Sequence, residues 1–193
     1  MEPNKTERLN VTGGSGSTLS PDGKQIAFVN RGDIFVTSTD YKRVARITTT
    51  PEAEKELTFS PDGRQIIYSD RNNLWIYDIA SRKSRALTTD GAWNEVINGT
   101  TDWVYEEEFG KTVAYAFSPD SREVAFLRFD ESRVPEFQMM RFDGKLYNEA
   151  YSFKYPKAGE ANSIVELWTV DLTTGQKRKI DTGRETDQYI PRL

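Results

Sequence analysis

Three consecutive glutamates, Glu106 to Glu108, are the side chains in this sequence best placed to do chemistry, and Trp103, Tyr105 and Phe109 flank them. Adjacent carboxylates repel one another, so they must face bulk water or share a cation. A solvated acidic turn is the ordinary outcome for such a run. Here the flanking aromatic side chains predict that the segment packs against the protein, and a fixed pair of carboxylates is suited to bind an ammonium group.

The composition excludes several catalytic mechanisms, because the 193 residues contain no histidine and no cysteine. Neither a Ser-His-Asp triad nor a cysteine nucleophile can operate without an imidazole or a thiolate, and zinc sites built from His or Cys are excluded too. The sequence predicts no catalytic residue, no metal site and no cofactor. Chemistry that needs only carboxylates, such as glycoside hydrolysis or calcium binding, stays open with 30 Asp and Glu residues.

Charge and hydropathy narrow the range of partners. The formal net charge of −4 gives no basic surface for nucleic acid or for an anionic membrane. No apolar run approaches the roughly 18 residues of a membrane span, and the polar first residues do not resemble a signal peptide. We therefore expect neither a nucleic-acid partner nor a membrane partner.

A repeated turn sets the architecture. Ser-Pro-Asp-Gly occurs at 20–23 and 60–63, Ser-Pro-Asp-Ser occurs at 118–121, and an apolar strand follows each copy. Proline presets φ, aspartate bonds nearby backbone, and glycine accepts a positive φ. The serine at residue 121 therefore predicts a slightly different third turn.

Further strands recur after each turn, and together with the strand before it they make about four short antiparallel strands per repeat, which is one propeller blade. The predicted fold is all-β, a β-propeller fragment of about three four-stranded blades with two insertions. The predicted divisions are a tail or linker at 1–16, a partial propeller at 17–193 with blades at about 17–50, 57–89 and 112–183, and the start of a further strand at 188–193.

The two insertions follow from spacing. The prolines at 61 and 119 are 58 residues apart, whereas those at 21 and 61 are 40 apart, so extra residues lie near the acidic segment. The second insertion spans approximately 130–163 and is rich in aromatic residues. We expect it to form an extended hairpin that packs its aromatic side chains on a neighbour.

The segment D-W-V-Y-E-E-E at 102–108 resembles the double-glutamate segment of the dipeptidyl peptidase IV family of serine exopeptidases. The resemblance continues through FSPDSREVAFLRFDESRVPEF at 117–137, YPKAG at 155–159 and ELWTVDLTTGQ at 166–176, and it covers roughly 93–193. Residues 17–89 look more like blades of tricorn-type or TolB-like propellers.

In that family an eight-bladed propeller caps an α/β-hydrolase domain, and two consecutive glutamates on a short helical insertion bind the free N-terminus of the peptide. The resemblance assigns this role to Glu107 and Glu108, with Trp103, Tyr105 and Glu106 as supporting residues. The family's catalytic triad belongs to the hydrolase domain, so the resemblance implies a substrate-recognition fragment without catalytic machinery, and a periplasmic or cell-surface location. It also implies that the second insertion makes dimer contacts.

Two other interpretations stay open, namely a stand-alone propeller interaction module and an engineered or recombined scaffold without enzymatic activity. Closed propellers have about four to eight blades, so about three blades leave apolar blade faces exposed. Repeat units bury their apolar surface against neighbours. The sequence therefore predicts self-association through these faces.

Overall fold

The structure is a computed structural model that describes residues 16–50 and 53–193. The predicted tail at 1–16 lies outside the described residues except for Gly16. The described residues separate into two compact units, the first made of 16–50, 53–70 and 75–85, and the second of 71–74 and 86–193.

Two four-stranded sheets account for most of the first unit, and in each the strands lie side by side in chain order. The first sheet contains β1 (Ser17–Leu19), β2 (Gln25–Asn30), β3 (Asp33–Ser38) and β4 (Val44–Arg46). The second contains β5 (Lys55–Phe59), β6 (Gln65–Asp70), β7 (Asn73–Asp78) and β8 (Lys83–Ala86). Propeller blades are four-stranded sheets of this kind, and the predicted all-β propeller fold is confirmed.

The repeated turns form because one aspartate satisfies two neighbouring donors. In the first copy, Oδ1 of Asp22 accepts a hydrogen bond from Oγ of Ser20 at 2.7 Å and another from N of Lys24 at 3.0 Å. The third copy repeats this bond between Ser118 and Asp120 at 2.7 Å. Ser121 has a φ of 60°, close to the 68° of Gly23, so the expectation of a different third turn was wrong. The hydrogen bonds hold a serine in the left-handed conformation that glycine adopts freely.

Alternating strand residues build the core of the first unit. Two clusters of buried side chains share partly buried neighbours such as Ile47 and Leu57. Their buried members are Ala27, Phe59 and Ile66 in one cluster and Ile34, Tyr68 and Tyr77 in the other.

A third sheet forms the body of the second unit. Its strands are β9 (Val96–Asn98), β10 (Tyr115–Phe117), β11 (Glu123–Asp130), β14 (Ile164–Asp171) and β15 (Lys177–Lys179), in the order β10-β11-β14-β15, with β9 also paired to β11. The sheet thus begins ahead of residue 112, where the sequence placed the start of this blade. A three-residue strand is too short to stand out in a hydrophobic pattern.

The edge of this sheet next to β11 is formed by two short strands, β9 and β10. Both pair antiparallel with β11, so that Asn98 lies opposite Arg128 and Tyr115 lies opposite Phe126. Between these two pairs, Leu127 donates to the carbonyl oxygen of Ala114 at 2.8 Å and accepts from N of Gly99 at 2.9 Å. The ladder therefore runs past the insertion without a break, and residues 100–113 project from one point in it.

The second insertion forms the predicted hairpin. Its strands β12 (Glu136–Arg141) and β13 (Glu149–Lys154) pair with each other in a two-stranded sheet. The rings of Phe137 and Phe153 lie opposite each other with centroids 6.0 Å apart. Outside that pairing, the ring of Tyr155 packs against Trp103 with centroids 4.3 Å apart.

Residues 188–193, predicted as the start of a further strand, are in no strand, because a strand needs a neighbouring strand for its backbone hydrogen bonds. Instead, N of Ile190 donates a hydrogen bond to the side-chain oxygen of Tyr105 at 2.7 Å. A helix that crosses a bilayer needs about 20 mostly apolar residues, and nothing helical within the described ranges reaches that length and hydropathy.

Candidate functional site

The acidic segment folds as a short helix, α1 (Trp103–Phe109), which is capped at both ends. Asp102 is the N-cap, and its side chain accepts a hydrogen bond from N of Tyr105 at 3.0 Å. Gly110 follows the helix with a φ of 61°, and its N–H donates to the carbonyl oxygen of Tyr105. A carboxylate before the helix and a left-handed glycine after it are the residues that satisfy unpaired helix ends.

Tyr105 fixes the helix to the sheet. Its side chain is 1% exposed and belongs to a buried cluster with Ile97, Leu127 and Phe129. The Tyr105 and Phe129 rings meet edge to face with centroids 4.9 Å apart, which is a favourable geometry for aromatic pairs. Tyr105 therefore packs as its aromatic character predicted.

The other two aromatic residues of the segment are less buried. Trp103 is half-buried and packs against Tyr155, whereas Phe109 is 40% exposed and contacts the rings of Tyr105 and Tyr189. All three aromatic side chains thus contact other rings, and together they hold one side of α1 against the second unit.

Glu106, Glu107 and Glu108 are exposed on α1. Among the described residues, none of the three forms an ion pair. Successive helix residues point about 100° apart, so the three carboxylates fan out over the solvent side.

The positions of Glu107 and Glu108 on α1 are unfavourable for the helix itself. Glu106 lies in the first turn, where negative charge is stabilising, but the last turn carries no basic residue. Carboxylates near a helix C-terminus repel its partial negative charge. A segment that keeps two such charges in an exposed position can bind a cation there, and an ammonium group can donate a hydrogen bond to each carboxylate.

Sequence reasoning missed the part played by Asp102. Its Oδ2 accepts a hydrogen bond from Oγ of Ser163 at 2.6 Å, although the two residues are 61 positions apart. Asp102 is 6% exposed. Burial raises the pKa of Asp102, and the hydrogen bonds from Ser163 and Tyr105 oppose that rise. An aspartate just before an aromatic and acidic run is an N-cap signal, so its first hydrogen bond was predictable, but the second was not.

A second buried carboxylate, Glu131, was also missed. It is 6% exposed. Burial raises the pKa of Glu131 to about 7, the negative charge of Asp102 adds to the rise, and Lys154 opposes it. No local pattern in the sequence signals this residue, because its environment is made by the helix insertion and the hairpin insertion together.

Within residues 16–50 and 53–193, no group of three or more Asp or Glu side chains is arranged to hold a metal ion.

Comparison with known proteins identifies relatives of this chain. The profile of the family described as "Dipeptidyl peptidase IV (DPP IV) N-terminal region" matches residues 51–193. The chain is 45% identical over 96 residues to the inactive dipeptidyl peptidase 10 of Rattus norvegicus, with 49% of this chain and 12% of that protein covered. It is 36% identical over 110 residues to the venom dipeptidyl peptidase 4 of Apis mellifera, with 54% and 14% covered.

Among solved structures, that of Porphyromonas gingivalis dipeptidyl peptidase 4 is similar, with a TM-score of 0.83 and 36% identity over 91% of this chain and 26% of that chain. The chain therefore spans only a small part of the length of these relatives. This coverage, like the family profile from residue 51 onward, extends into 17–89, which the sequence had likened to tricorn-type or TolB-like blades. Because the family profile matches well over half of the residues, this chain belongs to the family of dipeptidyl peptidase IV N-terminal regions.

Proposed function

We propose that this chain is the substrate-recognition region of a dipeptidyl peptidase IV-like serine exopeptidase, and that Glu107 and Glu108 bind the N-terminal ammonium group of the peptide substrate. Family membership supports the peptidase context, and the resemblance of residues 102–108 to the double-glutamate segment supports the residue assignment. Two carboxylates that bind one ammonium group fix where the peptide begins. In a whole peptidase this would limit how many residues extend beyond the scissile bond.

The observation that carries the proposal is the combination of exposed charge and rigid support. Glu107 and Glu108 face solvent and have no ion-pair partner among the described residues, while Tyr105 beside them is 1% exposed. Acidic residues on a mobile loop can turn toward any cation. Carboxylates on a capped helix keep one direction, which a ligand with a defined amine position can match.

Binding by this chain alone should be weak. Opposite charges about 4 Å apart in bulk water attract by only about 1 kcal/mol, and exposed ion pairs contribute about 0 to 1 kcal/mol. A hydrolase domain that excluded water from the site would strengthen the same contacts. Two such contacts contribute at most about 2 kcal/mol, so we expect a dissociation constant of about tens of millimolar or more for a short peptide.

The experiment compares the tripeptide Ala-Pro-Ala with its N-acetylated form by NMR titration of the full chain. We expect the free amine to shift the amide signals of α1 and the acetylated peptide to leave them unchanged. Glu107→Gln and Glu108→Gln should each abolish the shift. Glu123→Gln removes an exposed charge from β11 and should have no effect. Equal titration of both tripeptides, or binding unaffected by Glu107→Gln, would refute the proposal.

The resemblance also supports a periplasmic or cell-surface location, which we include in the proposal. The Apis mellifera relative is named a venom peptidase, which is consistent with a protein that acts outside the cytoplasm. Fractionation of the cells that make this protein, with an antibody against the chain, tests the location. Recovery in the cytoplasmic fraction alone would contradict it.

A further inference from the structure

Asp102 connects two parts of the chain that are distant in sequence. One carboxylate oxygen accepts from N of Tyr105 at 3.0 Å inside α1, and the other accepts from Oγ of Ser163 at 2.6 Å. Asp102 and Ser163 are each 6% exposed. A charge-assisted hydrogen bond that is shielded from water is stronger than one at the surface.

Ser163 is itself held in place by the sheet. It directly precedes β14, which pairs with β11 through eight residue pairs, from Glu123 opposite Asp171 to Asp130 opposite Ile164. The bond from Ser163 therefore ties the N-terminal end of α1 to two long paired strands, whereas Tyr105 ties the middle of α1 to the core.

The helix depends on such ties, because it has only seven residues. Isolated helices of fewer than about 12 residues are marginal in water, so α1 keeps its form and direction through its tertiary contacts. The groups proposed to bind substrate, Glu107 and Glu108, make no ion pair with the described residues that could orient them. Their positions follow from those of the helix backbone.

We propose that Asp102 and Ser163 are positioning residues for the amine site, and that their hydrogen bond sets the direction in which α1 presents Glu107 and Glu108. This inference rests on the proposed function of those two glutamates. An ammonium group that must meet two carboxylates at once loses affinity when the helix samples other directions, because only part of the population is then competent to bind.

The first test is Ser163→Ala in the full chain, followed by hydrogen exchange and by titration with Ala-Pro-Ala. Loss of one hydrogen bond to a charged group corresponds to about a tenfold change in an equilibrium constant. We expect amides of residues 103–111 to exchange about tenfold faster and the dissociation constant for the tripeptide to rise by a similar factor. Ser118→Ala removes a 2.7 Å serine-aspartate bond in an exposed turn of the same unit and should change neither value.

The second test is rescue by a conservative substitution at Asp102. In Asp102→Asn the side-chain oxygen still accepts from Tyr105 and the amide can donate to Oγ of Ser163, and asparagine is as good an N-cap as aspartate. Asp102→Asn should therefore keep most of the exchange protection and affinity, whereas Asp102→Ala should lose both. If Asp102→Ala does not fold, the comparison of Ser163→Ala with Asp102→Asn still tests whether the bond between Asp102 and Ser163 positions α1.

The outcomes separate this inference from the proposed function. Equal binding of free and acetylated tripeptide by the unaltered chain would refute the amine site. Specific binding of the free tripeptide by the unaltered chain, with unchanged exchange and affinity in Ser163→Ala, would refute the positioning role and leave the amine site intact. Loss of affinity in Asp102→Asn as large as in Asp102→Ala would also refute it, because the charge rather than the bond would then matter.

Discussion

The helix insertion and the hairpin insertion both extend from the third sheet, but they present their side chains in opposite ways. α1 is capped at each end and buries Tyr105 to 1% exposure. In the hairpin, all six residues of β12 are exposed, and in the connection between its strands Phe142, Leu146 and Tyr147 are 77%, 91% and 81% exposed. One insertion presents charge on a fixed support, and the other presents apolar surface.

This difference separates two kinds of recognition. Binding of an ammonium group depends on where each carboxylate lies, so its support must be rigid. Burial of apolar surface is non-directional and scales with area, so a hairpin that packs mainly on itself can still present a useful surface. The two insertions contact each other through rings such as those of Trp103 and Tyr155. Tyr155 follows β13, so this contact holds the helix in place without covering the turn between β12 and β13.

The largest effect we expect comes from adding a methyl group at the base of the helix insertion. Gly99 has a φ of 75°, and a Cβ there would lie 2.4 Å from a side-chain carbon of Leu74, which is 0% exposed. Backbone strain and overpacking together predict that Gly99→Ala lowers the free energy of unfolding by about 4 kcal/mol. Urea unfolding followed by circular dichroism measures this change.

The hairpin supplies the matched control for that substitution. Gly144 has the same φ of 75°, but a Cβ there would meet nothing within 4 Å. Gly144→Ala should therefore cost only the backbone strain, about 1 kcal/mol. Similar losses in the two variants would show that the base of the helix insertion is no more tightly packed than the hairpin turn.

The next effect concerns pH. The pKa of Glu131 is about 7 in the folded protein, against an ordinary value of 4.5, so between these values the folded state holds a proton that the unfolded chain releases. Stability therefore falls as the pH rises from about 4.5 to 7. Glu131→Gln should remove this loss, which makes the variant more stable than the unaltered chain by about 3 kcal/mol at pH 8 and no more stable at pH 4.

The charged groups that face Glu131 are Asp102, the N-cap of α1, and Lys154 from β13. Thermal unfolding of both proteins from pH 4 to pH 8 gives the difference directly. Parallel stability curves across this range would mean that Glu131 is ionised without penalty, and that the helix insertion does not enclose a buried carboxylate. Lys145→Gln in the exposed turn of the hairpin is the control, since Lys145 pairs with Glu149 in solvent at 2.8 Å.

The smallest effect we expect lies in the hairpin and concerns association. The resemblance implies dimer contacts here, and the exposed side chains of Phe142, Leu146 and Tyr147 supply the apolar surface. Replacing all three by serine should weaken self-association by at least about tenfold, the change expected when 1.4 kcal/mol of apolar burial is lost, while monomer stability stays within about 0.5 kcal/mol.

Sedimentation equilibrium over a range of concentrations measures the association constant. Trp93→Ser, which removes a side chain that is 72% exposed outside the hairpin, should leave it unchanged. An unchanged constant in the triple variant would leave only the exposed blade faces as the predicted surface for self-association. If the association constant decreased in Trp93→Ser but not in the triple variant, neither insertion would be the surface through which the chain associates.

Local patterns in the sequence predicted the strands, the turns and the burial of Tyr105, because each depends on neighbouring residues. The prediction for Ser121 was wrong because the bonds of Ser118 and Asp120 outweigh the preference for glycine. The bond from Ser163 to Asp102 could not be predicted, since it joins residues 61 apart and no residue type marks such a pair. The short strand β9 was not predicted from the sequence for a similar reason, because it pairs with β11, which lies about 30 residues further along the chain.

The unbroken ladder on either side of α1 makes this part of the fold modular. Because β9 and β10 keep their alignment with β11, the exposed residues 106–110 can be exchanged without shifting the rest of the sheet, provided that the buried Asp102 and Tyr105 are kept. Evolution could thus change the exposed residues of α1 while the scaffold of the third sheet stays constant. A protein engineer could use the same junction, between Gly99 and Ala114, to graft a different exposed segment that retains Asp102 and Tyr105.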